Sequence, residues 1–169
     1  MAHEILSESQ SCDGRYAIVV STYNSNITNK LLAGAIETLA AAGIASENIS
    51  VVRVPGAWEL PLASTLLAKN DSISAVITLG AVIRGETTHD QHINRAVSNA
   101  LMDLMNETGK PIAFGLLTCN TLEQAIHRAG GNVGNKGCEA AEAAIEMVRI
   151  TRAIAAENKQ KTALGGVVS

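Results

Sequence analysis

Four short apolar runs, Tyr16 to Val20, Ile49 to Val54, Ile73 to Leu79 and Ile112 to Leu117, punctuate the chain, and each leads through a polar loop into a helix-periodic segment. Runs of five to seven residues rich in Val, Ile, Ala and Leu are too short for helices and read as strands buried on both faces. After the first run, Leu31, Leu32, Ala35, Ile36 and Leu39 form a helical stripe closed by Gly43. After the second, Ala57 to Pro61 open a helix carrying Leu62, Ala63, Leu66 and Leu67; Pro61 is confined to the first turn because it lacks a backbone donor. After the third, Ile93, Ala96, Val97, Ala100, Leu101, Leu104 and Met105 recur at three- and four-residue steps until Gly109-Lys110-Pro111. After the fourth, Leu122 to Ala129 is a short helix, followed by a glycine-rich turn, Gly130 to Gly137, and a last helix from Cys138 into the region of Ala155. Parallel strands need crossover helices, so this alternation predicts an α/β fold in which a four-stranded parallel sheet lies between two helical layers. Residues 1–13 are polar and aperiodic and read as an arm, 14–156 as one domain, and 157–169 as a tail expected to fray from about Lys159.

In such sheets ligands sit at the carboxyl ends of the strands. That rule brings together four loops far apart in sequence: Thr22 to Asn26, Pro55 to Leu60, Gly80 to His89, and Thr118 to Thr121. The third is the richest in chemistry. It runs through Gly80 and Gly85 into Thr87, Thr88 and His89, where a helix begins. The first N–H groups of a helix have no partner within it, and the helix dipole adds partial positive charge, so an anion is stabilised there. Thr87 or Thr88 can cap that helix, Gly85 lets the backbone approach a ligand, and His89 brings an imidazole, the side-chain type suited to passing protons. An ordinary capped helix with a surface histidine is the plainer alternative. Tyr23 can stack on a heterocycle or cover a helix end, and Trp58 can serve the site, a lid or the core. Glu59 can accept hydrogen bonds from hydroxyls or simply stabilise a helix dipole. His89 and His92 are spaced for one helix face, yet no third ligand arrives with suitable spacing, so no metal site is expected. Arg128 and Lys136 flank the glycine-rich turn and can pair with phosphate or remain solvated.

Composition removes several classes of function. The net charge of −3 with no basic cluster argues against nucleic acid as a partner. Cys12, Cys119 and Cys138 are widely spaced and form no CxxC pair, so neither a disulfide framework nor zinc is indicated, and a reduced, cytoplasmic setting is expected. The amino end has no signal-peptide pattern and no apolar run reaches membrane-spanning length, so no membrane association is expected. With aromatics at 2%, the core must be built from Ala, Val, Ile and Leu.

Six motifs together resemble the 6,7-dimethyl-8-ribityllumazine synthase family: Asn24 with Ile27-Thr28, Val54 to Pro61, Gly80 to His89, Phe114 to Thr118, Gln124 to Gly130, and Gly134 to Gly137. They stand in family order and spacing and span about Gly14 to Ala156. The resemblance implies a flavodoxin-like three-layer α/β/α sandwich and the condensation of 5-amino-6-(D-ribitylamino)uracil with 3,4-dihydroxy-2-butanone 4-phosphate, the penultimate step of riboflavin synthesis, without a cofactor. It implies that Tyr23, where the family usually has Phe or Trp, stacks on the pyrimidine with Asn24 beside it. Ala57, Trp58 and Glu59 would hold the ribityl chain, and Ala81, Val82 and Ile83 the uracil edge. Glu86 and Thr87 would offer N–H groups to the phosphate, Arg128 would be its cationic partner, and His89 would transfer protons. Phe114 and Arg128 would come from a neighbouring subunit, with Lys136 near the same site. Asn132 and His127 depart from the residues common at those positions. Pentamers, an icosahedral shell of twelve of them, and riboflavin synthase as a partner are further expectations of the resemblance. A non-catalytic flavin or lumazine binder, a cage protein and a flavodoxin-like electron carrier are the competing classes.

Overall fold

The computed structural model describes Ala2 and residues 4–165. In chain order its elements are β1 (Arg15–Ser21), α1 (Ser25–Ala41), β2 (Ile49–Val54), α2 (Leu60–Ala68), β3 (Ile73–Ile83), α3 (His89–Thr108), β4 (Ile112–Cys119), α4 (Leu122–His127), β5 (Ala129–Gly131), β6 (Gly134–Asn135) and α5 (Lys136–Gly165). The first four strands form one parallel sheet in the order β2-β1-β3-β4, and β5 pairs with β6 in a small antiparallel hairpin. Successive side chains of a strand point to opposite faces. Tyr16, Ile18 and Val20 of β1 accordingly join the core shared with α1 and α5, while Ala17 and Val19 join the core shared with α2 and α3. The result is the expected α/β/α sandwich. Among the described residues no helix is long and apolar enough to cross a membrane.

Four boundaries differ from the sequence expectation. β3 was expected to stop at Leu79 because Gly80 reads as a breaker, yet it continues to Ile83, placing Ala81, Val82 and Ile83 in the strand and not in a loop. As a central strand it stays paired with β4 up to Ile83 opposite Cys119. Gly80 is there for packing: a Cβ on it would come within 2.6 Å of the Leu116 side chain. The segment Gly130 to Gly137, expected as a turn, is the β5-β6 hairpin followed directly by the start of α5, and α4 ends at His127 rather than at Ala129. The tail expected to fray from Lys159 remains helical to Gly165, with Lys161 paired to Glu157 one turn earlier at 2.5 Å. Residues 166–169 lie outside the described residues.

The arm is also tied down. The Ser7 hydroxyl donates to Glu146 at 2.7 Å, and Arg152 donates to the carbonyls of Ser11 and Asp13 at 2.7 and 2.6 Å. Tyr16 donates its hydroxyl to the Cys12 carbonyl at 2.7 Å, and burial pushes that phenol up to about 12, so it stays a neutral donor. Glu146 and Arg152 lie on α5, more than 130 residues from the arm residues they hold, and no periodicity reports those contacts.

Candidate active site

β1 lies at the middle of the sheet, with β2 on one side and β3 on the other, so the chain reverses its direction of winding between β1 and β3. At such a switch the loops leaving adjacent strands diverge and open a crevice at their carboxyl ends. The loop after β1 is held on the β2 side by Thr22 and Tyr23, whose N–H groups donate to the carbonyls of Val54 and Pro55 at 2.8 and 3.0 Å. It is held on the β3 side by Asn24, whose side-chain amide donates to the Ala81 carbonyl at 2.9 Å. Asn24 adopts a left-handed backbone, φ 59°, which asparagine tolerates better than most residues. It heads α1 without capping it by its side chain, which is committed to β3 instead. In the loop after β2, Glu59 curls back to accept the Gly56 N–H at 2.8 Å and so shapes the turn that presents Ala57 and Trp58.

Between these loops lies a cavity of about 440 Å³, within the range typical of small-molecule sites. Tyr23 lines it from the first loop; Gly56, Ala57 and Trp58 from the second; and Ala81, Val82 and Ile83 from the end of β3. Gly85, Thr87, His89, Asp90 and Ile93 close the remaining side, from the loop into the first turns of α3. Tyr23 and Trp58 are 73% and 60% exposed, so two of the chain's four aromatic side chains sit at this mouth with their faces free for a ligand. The amino end of α3 is electrically open. Thr88 occupies its cap position without capping it by the side chain, and the Thr87 hydroxyl reaches the His89 N–H only at 3.4 Å. The helix dipole and the weakly held His89 N–H thus lie at one wall of the cavity. A Cβ on Gly85 would have nothing within 4 Å, so the fold itself leaves that space open beside the helix end.

The remaining residues singled out in the sequence do not line this cavity. Glu86 is exposed in the loop before α3. Phe114 projects from the edge strand β4, 44% exposed, over a second, smaller depression formed with Met102 and Met105 of α3. Arg128 is exposed at the end of α4; burial pushes the thiol of Cys119, at the carboxyl end of β4, upward, and the Arg128 guanidinium partly opposes that shift. Lys136 starts α5 and pairs with Glu139. His127 lies 3.6 Å from Glu123, and His92 is exposed one turn beyond His89. A single chain therefore collects the residues of three loops and leaves Phe114, Arg128 and Lys136 outside. Sequence reasoning missed Asp90, Ile93 and Gly56 as lining residues. Ile93 heads the apolar stripe of α3, and such a stripe signals core rather than the rim of a crevice.

The sequence profile of the 6,7-dimethyl-8-ribityllumazine synthase family matches residues 13–152. The chain belongs to that family. A lumazine synthase from Rhodopirellula baltica is 53% identical over 137 residues, which cover 81% of this chain and 88% of the relative. The family match contains the whole cavity as well as Phe114, Arg128 and Lys136, and it stops within α5. Lumazine synthase similarity thus covers both the residues gathered in one chain and those left outside its cavity.

Proposed function

We infer that this chain condenses 5-amino-6-(D-ribitylamino)uracil with 3,4-dihydroxy-2-butanone 4-phosphate to give 6,7-dimethyl-8-ribityllumazine, phosphate and water, acting in riboflavin synthesis. The observation that carries this reading is the cavity at the β1/β3 switch, where an uncapped helix end and His89 meet exposed Tyr23 and Trp58 in a chain of this family. In the reaction an amine attacks a ketone, water leaves to form an imine, phosphate is eliminated and the ring closes. Protons move at every stage while the anion must be held. The N–H groups about Glu86 and Thr87 at the start of α3 hold the phosphate, and His89 takes and returns protons. Tyr23 and Asn24 position the pyrimidine, the edge of β3 at Ala81, Val82 and Ile83 receives its uracil, and Ala57, Trp58 and Glu59 receive the ribityl chain.

Phe114 and Arg128 complete the site from an adjacent subunit, with Lys136 near the same site, which makes a homo-oligomer part of the proposal. Pentamers assembled into an icosahedral shell, in the cytoplasm, are the form proposed. Support comes from large apolar side chains left exposed on one chain, among them Leu62, Leu66, Phe114, Ile126 and Val133, which a contact with further copies would cover.

Mixing the two substrates with the protein is expected to produce the absorbance and fluorescence of the lumazine together with free phosphate. Tight flavin binding without product would overturn this reading in favour of a non-catalytic binder. His89→Ala is expected to slow single turnover by about a hundredfold without abolishing it, since general acid–base help is worth two to four powers of ten and positioning supplies the rest. An unchanged single-turnover rate would remove His89 from the proton-transfer role.

A further inference from the structure

Asn24 joins two walls of the cavity without lining it. Tyr23 and Ala81 are both lining residues, and Asn24, next to Tyr23 in the chain, donates its side-chain amide to the Ala81 carbonyl at 2.9 Å. The pairing of β1 with β3 ends at Val20 opposite Leu79. Ala81 therefore stands two residues past the last paired position on that side, while it remains paired with Leu117 of β4 on the other. Ala81 is buried, and a buried carbonyl left without a donor costs free energy. The loop backbone does not supply that donor, because the Thr22 and Tyr23 N–H groups turn instead to Val54 and Pro55 at the end of β2. The Asn24 amide thus takes the place that a further residue of β1 would have filled.

Two separate demands meet at this position. The backbone is left-handed, φ 59° and ψ 44°, a conformation that glycine, asparagine and aspartate tolerate better than other residues. The side chain must also donate, and of those three only asparagine carries an N–H there. Tyr23 beside it is 73% exposed, so packing does not hold the ring; its place relative to β3 follows from how the backbone is anchored on either side. We propose that Asn24 is a positioning residue: its bond to Ala81 sets the distance between the Tyr23 ring and the end of β3, and so the width of the slot that receives the pyrimidine. The role rests on the condensation proposed above, and Asn24 acts in it through Ala81 and Tyr23 without touching substrate. A slot held at its working width before binding spares the pyrimidine the cost of ordering the loop. The phosphate is received by a different loop, at the start of α3, so the two substrates should respond differently to loss of the bond.

The test uses the full-length protein and its Asn24→Gly and Asn24→Asp variants. Glycine keeps the left-handed backbone and removes the amide; aspartate keeps the shape but sets a carboxylate oxygen against the Ala81 carbonyl. The KM for the pyrimidine is expected to rise about tenfold in Asn24→Gly and at least as much in Asn24→Asp, while the KM for the phosphate substrate stays within about twofold. Hydrogen exchange read by mass spectrometry tests the bond without reference to turnover. The Thr22 and Tyr23 amides should exchange about tenfold faster in both variants, and those of residues 16–20 in β1 at the parental rate. An unchanged pyrimidine KM in Asn24→Gly would overturn the role, as would a parallel rise of both KM values, which marks a general loosening of the sheet end. If the parent itself forms no product, it is the condensation that fails. Exchange at Thr22 and Tyr23 then still decides whether Asn24 holds the loop, and equal rates in parent and variants would overturn it.

Discussion

Gly137→Ala is expected to destabilise the fold by about 3 kcal/mol, the upper end for forcing a methyl group into a filled site, and to lower the thermal midpoint by about 10 °C in a chain of this size. The reason is backbone contact. A Cβ on Gly137 would lie 2.0 Å from the Leu31 carbonyl oxygen and 2.7 and 2.9 Å from the Leu31 carbonyl carbon and Cα. No rotamer change relieves that, because all three atoms belong to the backbone of α1, so α1 and α5 must part. Asn135 pins the same junction, donating to the Lys30 carbonyl at 3.0 Å and accepting the Gly137 N–H at 2.8 Å. Gly34 adds to the closeness: its Cβ would meet the side chains of Asn135 and Cys138 at 2.7 Å. Gly85→Ala serves as the control. With open space around its Cβ, it is expected to hold the midpoint or raise it slightly, through reduced freedom of the unfolded chain. Thermal unfolding followed by circular dichroism checks both, and a Gly137→Ala midpoint within about 2 °C of the parent would show that the close approach of the two helices carries little stability.

Arg128→Ala is expected to lower kcat/KM between about tenfold and a hundredfold, the worth of a charge-assisted hydrogen bond to phosphate. It should do so while leaving the fold intact, since Arg128 is exposed at the end of α4. Because Arg128 does not line its own chain's cavity, the informative experiment is a mixture. Co-expression of Arg128→Ala with His89→Ala chains should restore parental turnover at about a quarter of the sites, those pairing an intact His89 with an intact Arg128 across a subunit contact. Activity equal to the average of the two separate variants would show that both groups act within one chain, or that Arg128 takes no part. Light scattering on the same preparations measures the assembly in which the contact exists, and a monomer would remove the shared site.

The strands and their order of appearance were legible because a parallel sheet buried on both faces leaves near-continuous apolar runs, as at Tyr16 to Val20 and Ile73 to Leu79, while the edge strand β2, with Val51 and Arg53 exposed, was legible from its β-branched residues alone. The convergence of the loops bearing Tyr23, Trp58 and His89 was equally legible, since the carboxyl-end rule needs only the alternation of strands and helices. Gly80 misled because a glycine signals a break when read locally, whereas in the folded chain it makes room for Leu116 between two paired neighbours. Asp90 escaped notice because an acid in a first helical turn has an ordinary local explanation, and only the packing of α3 against the loops shows that it lines the cavity. Phe114 could be nominated by resemblance alone, Arg128 and Lys136 also as basic residues flanking a glycine-rich turn, and within one chain all three stay apart from the cavity.

The sequence by itself determined the alternation of β-runs and helical stripes, the parallel sheet this requires, and the helix start at which His89 stands, all consequences of periodicity and capping chemistry that act over a few residues. Tertiary structure alone decided how far β3 extends, that the arm lies along α5 under Arg152, that the glycine-rich stretch becomes a hairpin wedged against α1, and that Asp90 lines the cavity. Those outcomes depend on contacts between residues tens to more than a hundred positions apart, and the energy of such a contact is carried by neither local pattern.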